Sequence, residues 1–315
     1  MFSFPRNIHR TCLHSLLRRS LAFQADIYRP RRAILYVPGN DERKIRKAAA
    51  TDVDSVVLDC EDGVAMNRKN EARSTISRSL SAYDFGRSER IVRINAYDSG
   101  SAVADLQAVL ASASPPDAVI LPKVEDAEQV NWINSQMLSL LGHTLPLICL
   151  IEMPLALLNL RTICEAGKTG NGQLSGLIFG ADDFAAFLGA VRSPSATEVL
   201  VARQTVVMHA KAYGLQAIDI VDINYKNLES LKHAAEEGRK IGYTGKQVIH
   251  PDQVPIVQQA FSPSEEEVEW AKKLITAFEE HQKSGKGAFA FEGQMVDMPL
   301  MRLAQNIMQL MRVTQ

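Results

Sequence analysis

Acidic residues recur at one kind of place in this chain, at or just after the ends of short apolar runs. The run Leu147–Glu152 ends in an acid, and Gly176–Gly180 leads through Ala181-Asp182 to Asp183. The run Val53–Cys60 carries Asp59 and is followed by Glu61-Asp62-Gly63. Carboxylates gathered in one place repel one another and raise each other's pKa values. A divalent cation relieves that repulsion, and oxygen ligands without a Cys or His cluster select a hard ion, Mg2+. Mg2+ takes one or two protein carboxylates and leaves positions for water and substrate. Glu152 and Asp183 are the expected direct ligands, while Asp59, Glu61 and Asp62 hold metal-bound waters or orient basic groups. Taken singly, each acid could equally serve as a helix cap or an ion-pair partner, and Asp182 reads as a cap or spacer.

Two basic features accompany the acids. Arg93 interrupts the apolar run Ile91–Asn95, and burying it demands an anionic partner. That partner is either Asp59 or Glu61 in a structural ion pair, or a substrate carboxylate or enolate oxygen. After Pro38-Gly39-Asn40 a helical stretch carries Arg43 and Lys47, four residues apart on one face. Such a pair near a helix N-terminus forms either a phosphate-binding surface or a solvated charged face. Familiar nucleotide and nucleophile motifs fail. Gly170-Asn171-Gly172 lacks the third glycine of a dinucleotide fingerprint and precedes a strand, and no G-x-S-x-G elbow is present.

The elements that must position these groups alternate. Apolar runs at Ala33–Val37, Val53–Cys60, Ile91–Asn95, Ala118–Lys123, Leu147–Glu152, Gly176–Gly180, Leu215–Ile220 and Lys246–His250 read as strands buried on both faces. Helical patterns separate them, among them Asp41–Ala50, Asn67–Leu80, Ala127–Leu141, Pro154–Glu165, Ser195–Tyr213 and Leu228–Ile241. The series predicts an α/β fold, a (β/α)8 TIM barrel over residues 30–262, with a doubly wound sheet as the alternative. In a barrel, chemistry collects at the C-terminal strand ends, where the acids fall. Residues 263–315 follow the last strand. They read as a C-terminal helical extension that forms a lid, a subunit contact, or a plug beneath the barrel.

Composition narrows the function classes. The net charge is −1, and residues 1–25 hold Arg6, Arg10, Arg18 and Arg19 with no acid. Leu13, Leu16, Leu17 and Leu21 share one helical face there, the pattern of a mitochondrial transit peptide. The rest of the chain is acidic, which argues against nucleic acid as a main partner. No apolar run approaches the roughly 20 residues that span a bilayer, so no membrane partner is expected. Cys12, Cys60, Cys149 and Cys164 form no C-x-x-C pair and read as lone buried thiols in a reducing compartment.

Several ordered segments resemble one family. Leu35-Tyr36-Val37-Pro38-Gly39-Asn40, Leu58-Asp59-Cys60-Glu61-Asp62-Gly63-Val64, Leu121-Pro122-Lys123-Val124-Glu125 and Gly245-Lys246-Gln247-Val248-Ile249-His250-Pro251 are similar to the signatures of the citrate lyase beta-subunit family, within the HpcH/HpaI aldolase group. The likeness covers roughly residues 30–312 and extends to Gly285-Lys286-Gly287-Ala288-Phe289 and Met295-Val296-Asp297-Met298-Pro299. It implies a Mg2+-dependent barrel, a homotrimer in the mitochondrial matrix, that cleaves 3-hydroxy acyl-CoA thioesters. The expected reaction is (3S)-citramalyl-CoA to acetyl-CoA and pyruvate, with malate synthase, methylmalate synthase and malyl-CoA thioesterase side activities. It further implies Glu152 and Asp183 as metal ligands. Tyr36, Arg43, Lys47, Arg93, Ile249 and His250 would contact the CoA thioester or its acyl group. Arg93 would steady an enolate oxygen, and Asp297 would carry a proton in a neighbouring subunit's site. Arg43 replaces an expected lysine, and Ala181-Asp182 replaces the usual Gly-Glu. The alternatives are an aldolase for free 2-keto acids, a non-catalytic CoA-binding barrel, and a citrate lyase subunit acting on a carrier-bound thioester.

Overall fold

The computed structural model describes residues 29–284 and 289–314, so the expected leader lies outside the described residues. Eight strands close a parallel barrel in chain order: β1 (Ala33–Pro38), β2 (Ser55–Asp59), β3 (Glu89–Arg93), β4 (Ala118–Leu121), β5 (Leu147–Ile151), β6 (Leu174–Phe179), β7 (Gln216–Asp219) and β8 (Gly245–Val248), with β8 returning to β1. A doubly wound sheet is excluded, because it needs a reversal of strand order and an open edge.

Alternation along each strand divides the core. Ile34, Val57, Ile91, Ile120, Ile148, Ile178 and Ile218 fill the barrel interior. Residues one step along, such as Leu35, Leu58, Val92, Leu121, Cys149 and Leu177, pack outward under the helices. These are α1 (Glu42–Ala49), α2 (Lys69–Ala82), α3 (Ala102–Leu110), α4 (Ala127–Leu141), α5 (Pro154–Leu158), α6 (Leu160–Lys168), α7 (Ala181–Leu188), α8 (Leu200–Ala212), α9 (Leu228–Ile241) and α10 (Val254–Ala260). Cys60, Cys149 and Cys164 are free and buried, as their scatter in the sequence implies.

The helix expected over Pro154–Glu165 is two helices. They part at Asn159, whose side-chain amide donates to the Glu125 carbonyl at 2.9 Å. The stretch Ala181-Asp182-Asp183, which follows the expected strand Gly176–Gly180, is the first turn of α7. Asp183 therefore sits where the helix dipole favours negative charge. Asp182 makes no capping hydrogen bond among the described residues and lies 3.6 Å from Arg192.

The chain continues into α11 (Glu265–Ser284), a two-stranded ribbon of β9 (Ala290–Phe291) and β10 (Gln294–Met295), and α12 (Met298–Thr314). α11 and α12 pair around their own small core, which includes Ala271, Leu274, Val296, Met301 and Ala304. Arg239 on α9 ties the pair to the barrel through Glu267 at 2.8 Å.

Candidate active site

The C-terminal strand ends hold a connected set of charges. Asp59 closes β2 and is 2% exposed, so each of its lone pairs needs a donor. Its Oδ1 accepts from Arg93 Nε at 2.7 Å and from the Glu61 N–H at 2.8 Å. Its Oδ2 accepts from Arg93 Nη2 at 2.7 Å and from the Gly63 N–H at 2.8 Å. A Cβ on Gly63 would fall 2.5 Å from Asp59 Oδ2, so this tight return of the loop requires glycine. Lys69 holds the loop from outside, donating to the carbonyls of Cys60 at 2.8 Å and Glu61 at 2.7 Å.

Arg93 is thereby fixed by a two-pronged pair with Asp59, and its Nη1 lies 2.8 Å from Glu61 Oε2. Burial opposes its charge, but the neighbouring carboxylates more than offset that and hold it firmly protonated. Its guanidinium lies 5.1 Å from the Tyr36 ring centre, a cation–π contact. The Tyr36 hydroxyl is buried and has no hydrogen-bond partner among the described residues. Burial also pushes its pKa upward, so it stays a neutral donor. A buried donor without a partner beside a polar mouth is placed to meet a ligand oxygen.

Glu152 lies just past β5 and is 4% exposed. Burial first, then Glu61 and Asp183, push its carboxyl up to about 8. A Cβ on Gly180 would lie 2.7 Å from Glu152 Oε2, so glycine there leaves room for the carboxylate. Among the described residues, Glu152 Oε1 accepts from the Lys123 backbone N–H at 2.8 Å. Lys123 itself adopts φ +52°, a left-handed conformation uncommon for a residue with a side chain. Its ammonium bonds Glu61 Oε1 at 2.7 Å and lies 3.6 Å from both Asp62 and Asp183. Burial works against the charge of Lys123, but Glu61, Asp62 and Glu152 outweigh it and raise its pKa, the reverse of what an amine nucleophile needs.

The structure brings Tyr36, Asp59, Glu61, Asp62, Arg93, Glu152 and Asp183 into this one mouth, linked through Arg93 and Lys123. Among the described residues no three carboxylate, imidazole or thiolate groups form a ready cage for a metal. Glu152 and Asp183 with added waters nevertheless fit Mg2+. The donors are all oxygen, and the negative charge exceeds what Arg93 and Lys123 supply in a site where burial already penalises it.

The remaining candidates lie around the rim or apart from it. Arg43 and Lys47 project from α1 as exposed side chains with no ion pair among the described residues. Ile249 is 43% exposed, its N–H donating to the buried Gln253 side chain at 2.9 Å. His250 stacks on Tyr225, with ring centres 4.9 Å apart, and its Nδ1 accepts from the Asp252 N–H at 3.2 Å. Asp297 is exposed and caps α12, accepting from the Leu300 N–H at 3.2 Å. No hydrogen bond or ion pair among the described residues joins it to the mouth of its own barrel. Sequence reasoning passed over Lys123 and Tyr225 as site residues. Lys123 stood inside a quoted segment at a strand end, which was its signal, whereas nothing in the sequence marked Tyr225.

Known proteins share this architecture. A sequence model of the family described as HpcH/HpaI aldolase/citrate lyase matches residues 32–251. The mitochondrial citramalyl-CoA lyase of Mus musculus is 48% identical over 292 residues, 90% of this chain and 86% of that protein. The (3S)-malyl-CoA thioesterase of Cereibacter sphaeroides is 34% identical over 268 residues, 85% of this chain and 90% of that protein. The crystal structure of CitE from Mycobacterium tuberculosis, in complex with magnesium, acetoacetate and coenzyme A, superposes with a TM-score of 0.72 at 30% identity, covering 90% of this chain and 98% of that one. By sequence and by fold, the chain belongs to the HpcH/HpaI aldolase/citrate lyase family.

Proposed function

We propose that the chain is a Mg2+-dependent carbon–carbon lyase that cleaves (3S)-citramalyl-CoA to acetyl-CoA and pyruvate in the mitochondrial matrix. The observation that carries this reading is the 48% identity to a mitochondrial citramalyl-CoA lyase over 90% of the chain. The mouth supports it, because its acids, arginine and lysine suit a substrate that is both a hydroxy acid and a thioester. Glu152 and Asp183 would hold Mg2+, which would supply Lewis-acid chemistry toward a hydroxy-acid substrate.

Cleavage breaks the bond between the hydroxyl-bearing carbon and the carbon next to the thioester. The hydroxyl proton passes to a carboxylate of the mouth, the ketone of pyruvate forms, and the electron pair of the broken bond passes into an acetyl-CoA enolate. Arg93, held rigid by Asp59, steadies the enolate oxygen with a fixed positive charge. Tyr36 offers its neutral hydroxyl to the acyl group. Arg43 and Lys47 meet the CoA phosphates as a charge pair on α1, and Ile249 and His250 line the path between. A free 2-keto acid has no use for that distant basic pair.

Asp297 gives the enolate carbon its proton from a neighbouring copy, since among the described residues no hydrogen bond or ion pair joins it to its own mouth. Leu155, Leu158, Phe187, Leu188 and Val191 are exposed on and beside α5 and α7, next to the turn that bears Asp183, and offer an apolar seat for that copy. We read the assembly as a homotrimer, with residues 263–315 as lid. The malate synthase and methylmalate synthase activities follow from running the bond-forming direction with glyoxylate or pyruvate. Hydrolysis of malyl-CoA follows from water reaching the thioester.

Purified protein incubated with Mg2+ and citramalyl-CoA, malyl-CoA or citryl-CoA tests the substrate: pyruvate release from the first, lost on chelation, is expected, and CoA-independent turnover of the free acid would sink the reading. A positioned acid is worth roughly 10²–10⁴ in rate, so Asp297→Ala should lower kcat by about that factor with CoA-ester binding retained. Mixing Asp297→Ala chains with Glu152→Gln chains should then restore part of the activity, and failure to do so assigns Asp297 to its own subunit or to none.

A further inference from the structure

We propose that Lys123 is a built-in counter-cation of the acid cluster, a positioning residue whose ammonium shares Asp183 with the bound dication and so sets how tightly the mouth takes Mg2+. The proposal rests on the reading of Glu152 and Asp183 as the metal ligands.

The geometry ties one residue to both ligands by different means. The Lys123 backbone N–H fixes Glu152 Oε1 at 2.8 Å, and this bond depends on the left-handed backbone at φ +52°. The side chain turns to the other acids and lies 2.7 Å from Glu61 Oε1, a hydrogen-bonded ion pair. Its approach to Asp183 Oδ2 is longer, 3.6 Å, and involves no hydrogen bond. The two contacts differ in what they cost to give up. An ammonium anchored on Glu61 stays in place while Asp183 turns to a stronger cation, since the Asp183 contact is only Coulombic.

Two consequences follow. Without metal, Lys123 offsets the mutual repulsion of Glu61, Asp62, Glu152 and Asp183 and keeps the mouth assembled. With metal, a fixed positive charge a few ångströms from a dication repels it and weakens its hold. The side chain thus trades affinity for preorganisation. The backbone N–H of Lys123 belongs to a separate function and survives any substitution that keeps the backbone conformation.

The test is calorimetric Mg2+ titration and thermal unfolding of the substrate-free protein, comparing the wild type with Lys123→Met and Lys123→Arg. Lys123→Met removes the charge at nearly constant length. It should bind Mg2+ about tenfold more tightly, melt below the wild type without metal, and regain that difference when Mg2+ is added. Lys123→Arg should bind as the wild type does. Where Lys123→Met does not fold, Lys123→Gln takes its place, since it keeps a donor for Glu61 and loses only the charge. Unchanged or weaker binding in the neutral variant, with the wild type binding normally, overturns the role of Lys123 alone. A wild type that binds no Mg2+ overturns both the role and the metal-site reading beneath it.

Discussion

At the N-terminal ends of the strands, Arg31 donates to both oxygens of Glu89 at 2.7 Å, and Ser55 adds a third donor at 3.0 Å. At the C-terminal ends, Arg93 donates to both oxygens of Asp59 at the same 2.7 Å. Both pairs are buried, both are two-pronged, and each has one member on β3. They differ in what surrounds them. Below, one cation meets one anion, and the spare Arg31 Nη1 is taken by Ser175 at 3.0 Å. Above, Glu61, Asp62, Glu152 and Asp183 share Arg93 and Lys123, so negative charge remains in excess. A balanced buried pair closes a barrel. An unbalanced one leaves a demand that a cation or a substrate can satisfy, which is why one end of these strands holds structure and the other holds chemistry.

The sharpest way to break that contrast is to neutralise one charge at each end. Glu152→Gln should lower kcat/KM by on the order of 10³, since the Lewis acid is worth several kcal/mol and loses a ligand. The same variant should not destabilise the metal-free protein. Its amide oxygen can keep the Lys123 N–H, and it removes a charge that burial disfavours. Steady-state kinetics and metal-free melting at pH 8.5 measure the two effects. A large fall in melting temperature would make Glu152 a structural acid like Glu89.

Glu89→Gln is the mirror experiment. Arg31 is 4% exposed, and the substitution strands its guanidinium without an anion. Removing one member of a buried pair typically costs about 3–5 kcal/mol. Denaturant unfolding should show a loss of that size, while kcat per folded molecule stays within about twofold. If turnover falls in step with Glu152→Gln, the two ends are coupled and the division of labour drawn above is wrong.

What the sequence revealed follows the same division. The eight strands were legible because parallel strands are apolar on both faces, and their acidic ends were legible because acids there interrupt an otherwise apolar text. Arg93 stood open between an ion pair and a ligand clamp. The structure shows the ion pair with Asp59, with Nη1 beside Glu61. Lys123 was hidden for a different reason. Its importance comes from a left-handed backbone that a sequence does not print, and from distances to Glu61 and Asp183, which lie 62 and 60 positions away. The break at Asn159 was hidden because the apolar spacing of α5 and α6 continues across it, and a tertiary bond to the Glu125 carbonyl decides the matter. Asp297 is a candidate only through family resemblance, since an exposed helix cap carries no mark of chemistry by itself.

The smallest expected effect is the most specific to the mouth, because it comes from one carboxyl. Burial, then Glu61 and Asp183, push the Glu152 carboxyl up to about 8 in the metal-free fold, from the ordinary 4.5. Its folded pKa lies above its unfolded one, so the folded state holds its proton longer than the unfolded chain does. The stability linked to this group is fully present below about pH 4.5 and is lost as pH rises through about 8. Mg2+ needs the ionised form, so it competes with the proton at low pH and relieves the buried charge at high pH. The Mg2+-induced rise in melting temperature should therefore grow between pH 6 and pH 8.5 by about 2 °C or more. Glu152→Gln should flatten that growth, while Glu89→Gln should leave it intact on a lower baseline. An equal Mg2+ effect at both pH values would mean that the dication does not seek Glu152, and the excess of charge at the mouth would then need another explanation.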